Sequence, residues 1–215
     1  MKVLPGEMHD LHGSAPDNHG TCLLLIDVIN DFEFPRGDEL FERAQHIGPT
    51  IAALKKKARA AGVPCVYAND NFGRWRSNLE DILQQALRPG SRGRPLVEML
   101  VPDSEDYFVL KPKHSAFYQT PLELLLKHFG TERLIVTGVS TNSCVLFTAG
   151  DAYMRDLKLA VPQDCVAACN DTEHQFAMNQ LQCMLKADIA PSDDIDFAGR
   201  RQKDRLPNRN ACEAT

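Results

Sequence analysis

Short, unbroken apolar runs set between stretches of helical periodicity constrain this chain more than any other feature. Cys22-Leu23-Leu24-Leu25-Ile26 is the clearest of them. It is too short for a helix and lacks polar alternation, so it reads as a strand buried on both faces. Pro64 to Ala68, Tyr107 to Leu110, Arg133 to Thr137 and Leu159 to Val161 repeat the pattern, and Ala187 to Ile189 offers a sixth strand. Between the strands, Ile47, Ile51, Leu54 and Ala58 recur at helical spacing. Pro49 lies inside that pattern and marks a helix start or a kink. Glu80 to Leu87, Pro121 to His128, Cys144 to Arg155 and Thr172 to Leu185 are the further helices expected. Such alternation predicts a doubly wound α/β fold, a three-layer α/β/α sandwich around a six-stranded, mostly parallel sheet.

Composition narrows the class. A chain of 215 residues that is 43% apolar and 25% charged can bury one core without disulfides or a structural metal. The net charge of −5 argues against nucleic acid as a partner. No apolar run reaches the roughly 18 residues that span a bilayer, and residues 1–20 lack the apolar core of a signal peptide. The expectation is a cytoplasmic protein with no membrane partner. The seven cysteines are odd in number and show no CxxC spacing, so they read mainly as thiols. Cys22, Cys65 and Cys183 lie in apolar surroundings and read as small core residues. Residues 1–20 form an N-terminal arm, 21–198 the single domain and 199–215 a polar C-terminal tail. His9, His12 and His19 fit no helical metal site, and neither metal nor cofactor is expected.

In doubly wound folds ligands bind beyond the carboxyl ends of the strands. Asp27 directly follows the first strand, Lys111 the third, and Cys144 comes after the turn that leaves the fourth. Asn142 or Ser143 can cap the next helix, which puts Cys144 in a first turn where backbone N–H groups and the helix dipole favour a thiolate. A lysine ammonium nearby favours it further. Asp27 can accept the thiol proton and return it to a leaving group, and N–H groups from Ser140 to Cys144 can hold an oxyanion. Phe32, Trp75, Phe117 and Tyr118 can line an apolar pocket, and Asn71 can offer a hydrogen bond. A Cys–His hydrolase pairing Cys144 with His174 or His114 is a rival arrangement. A non-catalytic binding protein is another, expected to carry a slowly reacting Cys144 near neutral pH.

Three motifs, in order, resemble the isochorismatase-like cysteine hydrolases. They are Leu25-Ile26-Asp27-Val28-Ile29-Asn30-Asp31-Phe32, then Lys111-Pro112-Lys113-His114-Ser115-Ala116-Phe117, then Gly138-Val139-Ser140-Thr141-Asn142-Ser143-Cys144-Val145 with Thr148-Ala149-Gly150-Asp151-Ala152. The likeness runs from about residue 20 to about 190. It implies Cys144 as nucleophile, Asp27 as general acid and base for both attack and hydrolysis, and Lys111 rather than Lys113 as the assisting charge. It also implies a cis peptide at Val139–Ser140, oxyanion donors at Ser140 and Cys144, and a homodimer or homotetramer. The expected reaction is hydrolysis of a C–N amide bond in a small molecule through a thioester. Isochorismate vinyl-ether hydrolysis is the alternative. Nicotinamidases of the family carry a His-containing metal site after the second strand. Here that stretch, Tyr67 to Trp75, has no His.

Overall fold

The run from Cys22 to Ile26 becomes the core of β1 (Thr21–Ile26), the middle strand of the sheet. The computed structural model describes residues 19–73 and 78–197; most of the arm, the tail, Trp75, His9 and His12 lie outside them. Along β1, Leu23 and Leu25 enter one apolar cluster while Cys22, Leu24 and Ile26 enter another. Successive side chains point to opposite faces of a sheet, so two covered faces demand an apolar residue at every position.

The elements follow as α1 (Gly37–Ala60), β2 (Cys65–Asp70), α2 (Leu79–Leu87), α3 (Arg94–Met99) and β3 (Tyr107–Lys111). Then come α4 (Leu122–His128), β4 (Arg133–Val139), a π-helical turn (Thr141–Val145), α5 (Leu146–Tyr153), β5 (Lys158–Ala160), β6 (Val166–Ala167) and α6 (Asp171–Asn179). The sheet has six strands in the order β3-β2-β1-β4-β5, with β6 also on β4, and every pairing is parallel. Ile51, Leu54, Ile82 and Leu96 bring α1, α2 and α3 onto one face. Leu122, Leu126, Ala149 and Leu181 bring α4, α5 and the segment after α6 onto the other. The expected three-layer sandwich is therefore present.

Four details depart from expectation. Helix α1 starts at Gly37 and carries Pro49 within it. Its buried stripe, Leu40, Ala44, Gly48, Ile51, Leu54 and Ala58, runs straight through the proline, because packing along the whole face outweighs one lost backbone bond. Helix α3 is six residues long, too short to show a period. The sixth strand is Val166–Ala167, paired with the end of β4, whereas residue 188 makes only an isolated bridge to Ala160. Strand β5 stops after three residues, and β6 takes over the edge it leaves open. Cys183, expected as a buried thiol, is disulfide-bonded. Among the described residues no helix is long and apolar enough to cross a membrane.

Candidate active site

The parallel sheet ends β1, β2, β3 and β4 at one edge, and the chemistry-bearing residues follow those ends. Asp27 leaves β1 with a left-handed φ of 52°, a region that Asp tolerates better than most residues. Its backbone N–H still bonds Ala68 O across to β2 at 3.0 Å. Gly138, near the end of β4, lies beside Ile26 in the register. Its φ is +108°, and a Cβ there would stand 2.0 Å from Ile26 O. Only glycine lets the two strand ends close up, and that approach brings Asp27 beside the turn that holds Cys144. The peptide Val139–Ser140 is cis.

Lys111, the last residue of β3, has no exposed side-chain surface. Its Nζ lies 2.9 Å from Asp27 Oδ2 and donates to Cys144 Sγ at 3.3 Å. Lys113 O accepts a third bond at 3.2 Å, so Lys113 serves through its backbone while Lys111 supplies the charge. The Asp27 charge also acts on the Cys144 thiol. Lys111 thus joins Asp27 and Cys144 through one ammonium.

Burial pushes the Asp27 carboxyl up, and Lys111 only partly offsets it. Burial pulls the Lys111 ammonium down, but Asp27, Cys144 and Asp70 outweigh it, so Lys111 ends above its ordinary value. The Cys144 thiol is pushed up to about 12, first by burial and next by the Asp27 charge. Both effects favour the neutral thiol over the thiolate expected at a helix start. Cys144 sits in a π-helical turn rather than an α-helical first turn. Two nearby N–H groups are also already engaged, since Ser143 N and Val145 N both donate to Ser140 O.

A second carboxylate escaped the sequence reading. Asp70 ends β2, its N–H donates to Asp27 Oδ1 at 2.7 Å, and its Oδ2 stands 3.7 Å from Lys111 Nζ. The signal that marks Asp27, a polar residue at the end of an apolar strand, marks Asp70 as well.

The turn itself is braced from α6. Ser140 Oγ donates to Asn142 Oδ1, Asn142 Nδ2 donates to Glu173 Oε2 at 3.1 Å, and Glu173 Oε1 pairs with Arg36 at 2.8 Å. His174 Nδ1 meets Thr141 Oγ1 at 3.1 Å, so this histidine supports the turn. His114 instead places Nδ1 3.7 Å from Cys144 Sγ.

The expected pocket walls fare unevenly. Phe32 is fully buried against Phe41 and Phe34, so it belongs to the core and not to a pocket. Phe117 is buried too, with the Arg155 guanidinium over its ring. Asn71 Oδ1 is occupied by the Gly73 N–H at 3.0 Å, which makes it a turn former. Tyr118 is exposed. Among the described residues no group of three or more His, Cys, Asp or Glu side chains could hold a metal ion.

Known proteins resemble this chain in sequence and in fold. The family model described as the isochorismatase domain matches residues 21–191. The uncharacterized isochorismatase family protein YaaI of Bacillus subtilis (strain 168) is 39% identical over 174 residues, covering 81% of this chain and 95% of that protein. The ureidoacrylate amidohydrolase RutB of Methylobacterium radiotolerans is 31% identical over 179 residues, covering 72% of this chain and 68% of that one. Among solved structures, the pyrazinamidase/nicotinamidase of Streptococcus mutans UA159 matches with a TM-score of 0.62 at 29% identity, across 79% of this chain and 99% of that one.

Proposed function

This chain belongs to the isochorismatase family of hydrolases, and we propose that within it the chain cleaves the C–N bond of a small amide through a thioester on Cys144. One observation carries the reading: a fully buried ammonium, Lys111 Nζ, touches both Asp27 Oδ2 and Cys144 Sγ. An ammonium so placed stabilises negative charge on whichever neighbour holds it, so a proton can pass between thiol and carboxylate at small cost.

The reaction starts from the neutral thiol. As Sγ attacks the amide carbonyl carbon, its proton moves to Asp27, whose raised affinity suits it to receive one. Backbone N–H groups of Ser140 and Cys144 hold the oxyanion. Asp27 then hands the proton to the departing nitrogen, the C–N bond breaks and the acyl group stays on sulfur. Water hydrolyses the thioester and restores the thiol. The amidohydrolase and nicotinamidase likenesses support amide chemistry, as does the presence of a thiol where vinyl-ether hydrolysis needs none.

The test is mass spectrometry of the protein mixed with a panel of small amides and isochorismate. An acyl adduct on Cys144, lost together with amide turnover in Cys144→Ala, is the expected result. Isochorismate turnover with Cys144 unmodified, or amide turnover surviving in Cys144→Ala, overturns the reading.

A further inference from the structure

The exposed apolar surface of this chain is concentrated on one side. Among the described residues six large apolar side chains are more than half exposed: Tyr118, Leu124, Phe147, Met154, Phe176 and Met184. All six lie on α4 and α5, in the turn before α4, or on α6 and the segment after it, the layer that covers one face of the sheet. On the opposite layer the largest such exposure is 41%, at Met99 and Val101. Leu124 lies midway between the buried Leu122 and Leu126, and Phe147 midway between the buried Val145 and Ala149. Two residues are about 200° round a helix, so these side chains point away from the core. Taking about 200 Å² for a large apolar side chain, the six expose roughly 700 Å². That exceeds the roughly 300–600 Å² of the largest patch on a typical monomer and approaches the about 800 Å² that each partner buries in a standard interface.

The middle of this face is self-complementary. Phe147, Gly150, Asp151 and Met154 share one side of α5 and its C-terminal cap. A Cβ at Gly150 would meet nothing within 4 Å, so the helix carries a notch between two large side chains. The stripe is symmetric about the point between Gly150 and Asp151. A second α5 laid antiparallel across it brings the two notches together and sets Phe147 of each copy against Met154 of the other. Reciprocal contact of that kind is what a two-fold interface requires.

The charges beside the stripe select the occupant. Glu123 of α4 pairs with Lys127 at 2.7 Å and with Arg155 at 2.8 Å, and Arg155 reaches Asp151 at 3.5 Å. These acids and bases cancel within one chain. A strongly acidic or basic partner finds no opposite charge to answer it there, whereas an identical copy meets no net like charge. We propose that a second copy of this chain packs on this face, α5 against α5, about a two-fold axis beside Gly150. Phe147 also stacks on His114 with centroids 5.6 Å apart, and His114 Nδ1 lies 3.7 Å from Cys144 Sγ. The edge of the paired face is therefore the mouth of the site.

The experiment is light scattering of the full chain at micromolar concentration as it leaves a size-exclusion column. Wild type should elute as a dimer or a multiple of one. In Met154→Glu and in Gly150→Gln the dissociation constant should rise at least about 100-fold, as when an interface hot spot is lost. Val101→Glu, on the opposite layer, should pair as wild type does. Gly150 and Met154 border open space in the single chain, so the circular dichroism of both variants should match wild type. A second readout needs no variant. Met154 is 77% exposed in one chain and Met99 41%, so peroxide should oxidise Met154 faster in a monomer and Met99 faster in the dimer. A monomeric wild type, a dimer that survives Met154→Glu, or faster oxidation of Met154 than of Met99 in the dimer overturns the proposal.

Discussion

At the strand ends one ammonium is shared between a carboxylate and a thiol, and each group is set by the other two. The consequence is clearest at Cys144, whose thiol burial and the Asp27 charge push up to about 12. In the ligand-free protein, iodoacetamide should label Cys144 slowly at pH 7 and faster as pH rises, because only the thiolate reacts. Slow labelling is therefore no mark of a non-catalytic relative here. Asp27→Asn removes the charge that disfavours the thiolate, so the profile of labelling rate against pH should move to lower pH. A profile that stays put or moves up would show that the Asp27 charge does not act on the sulfur. Asp27, Lys111 and Cys144 were legible in the sequence because each is polar and follows an apolar strand. Asp70 satisfies the same rule and was passed over because no motif drew attention to it. Phe32 and Phe117 were not legible: an aromatic near a strand end is equally apolar whether it lines a pocket or fills the core, and only packing against Phe41 or under Arg155 decides.

Between elements, two glycines set two close approaches of very different stiffness. At Gly138 a Cβ would meet Ile26 O at 2.0 Å, and the φ of +108° disfavours any side chain. Strand backbone at the middle of a sheet cannot give way, so Gly138→Ala should cost about 2–4 kcal/mol by denaturant melt. It should also lower turnover per folded molecule, because the same strand ends hold Asp27 against the turn. At Gly48 in α1 the Cβ would stand 2.6 Å from Leu96 Cδ1 and 3.0 Å from the Met99 side chain. Those are flexible tips, and alanine gains about 1 kcal/mol of helix propensity over glycine. Gly48→Ala should therefore stay within about 1 kcal/mol of wild type. Equal losses at both sites would mean that the β1–β4 approach is not the rigid one. The five longer strands were readable as apolar runs because a parallel sheet covered on both faces leaves no room for polar alternation. Helix α3, with six residues, and β6, with two, carry too little sequence to show a period and exist through their neighbours. The start of α1 was missed because Pro49 looked like a boundary, while Leu40 and Ala44 extend the same buried stripe upstream of it.

Across the whole molecule the two ends of the sheet do different work. The carboxyl ends carry the reacting groups, and the opposite ends carry an ionic clamp. Asp106, whose side chain is 1% exposed, precedes β3 and bonds Lys55 Nζ at 2.6 Å and Arg59 at 3.0 Å, which ties the loop before β3 to α1. Burial pulls the Lys55 ammonium down, but its bond to Asp106 prevails and holds it at about 12. A cation with a raised value stabilises the fold fully below its ordinary value of 10.5 and loses that contribution as pH climbs through about 12, so the clamp is intact at neutral pH. Asp106→Ala strands a buried lysine that Asp103, at 3.2 Å and half exposed, only partly compensates. The cost should be about 3 kcal/mol, the low end for breaking a buried pair. The length of β3 separates Asp106 from Lys111 by roughly 15 Å, and no reacting group touches the clamp. Turnover per folded molecule should therefore match wild type at a temperature where the variant is folded, while its midpoint in urea falls. A loss of turnover in the fully folded variant would mean that the strand ends are coupled through the sheet. An unchanged urea midpoint would mean that the clamp contributes nothing to stability.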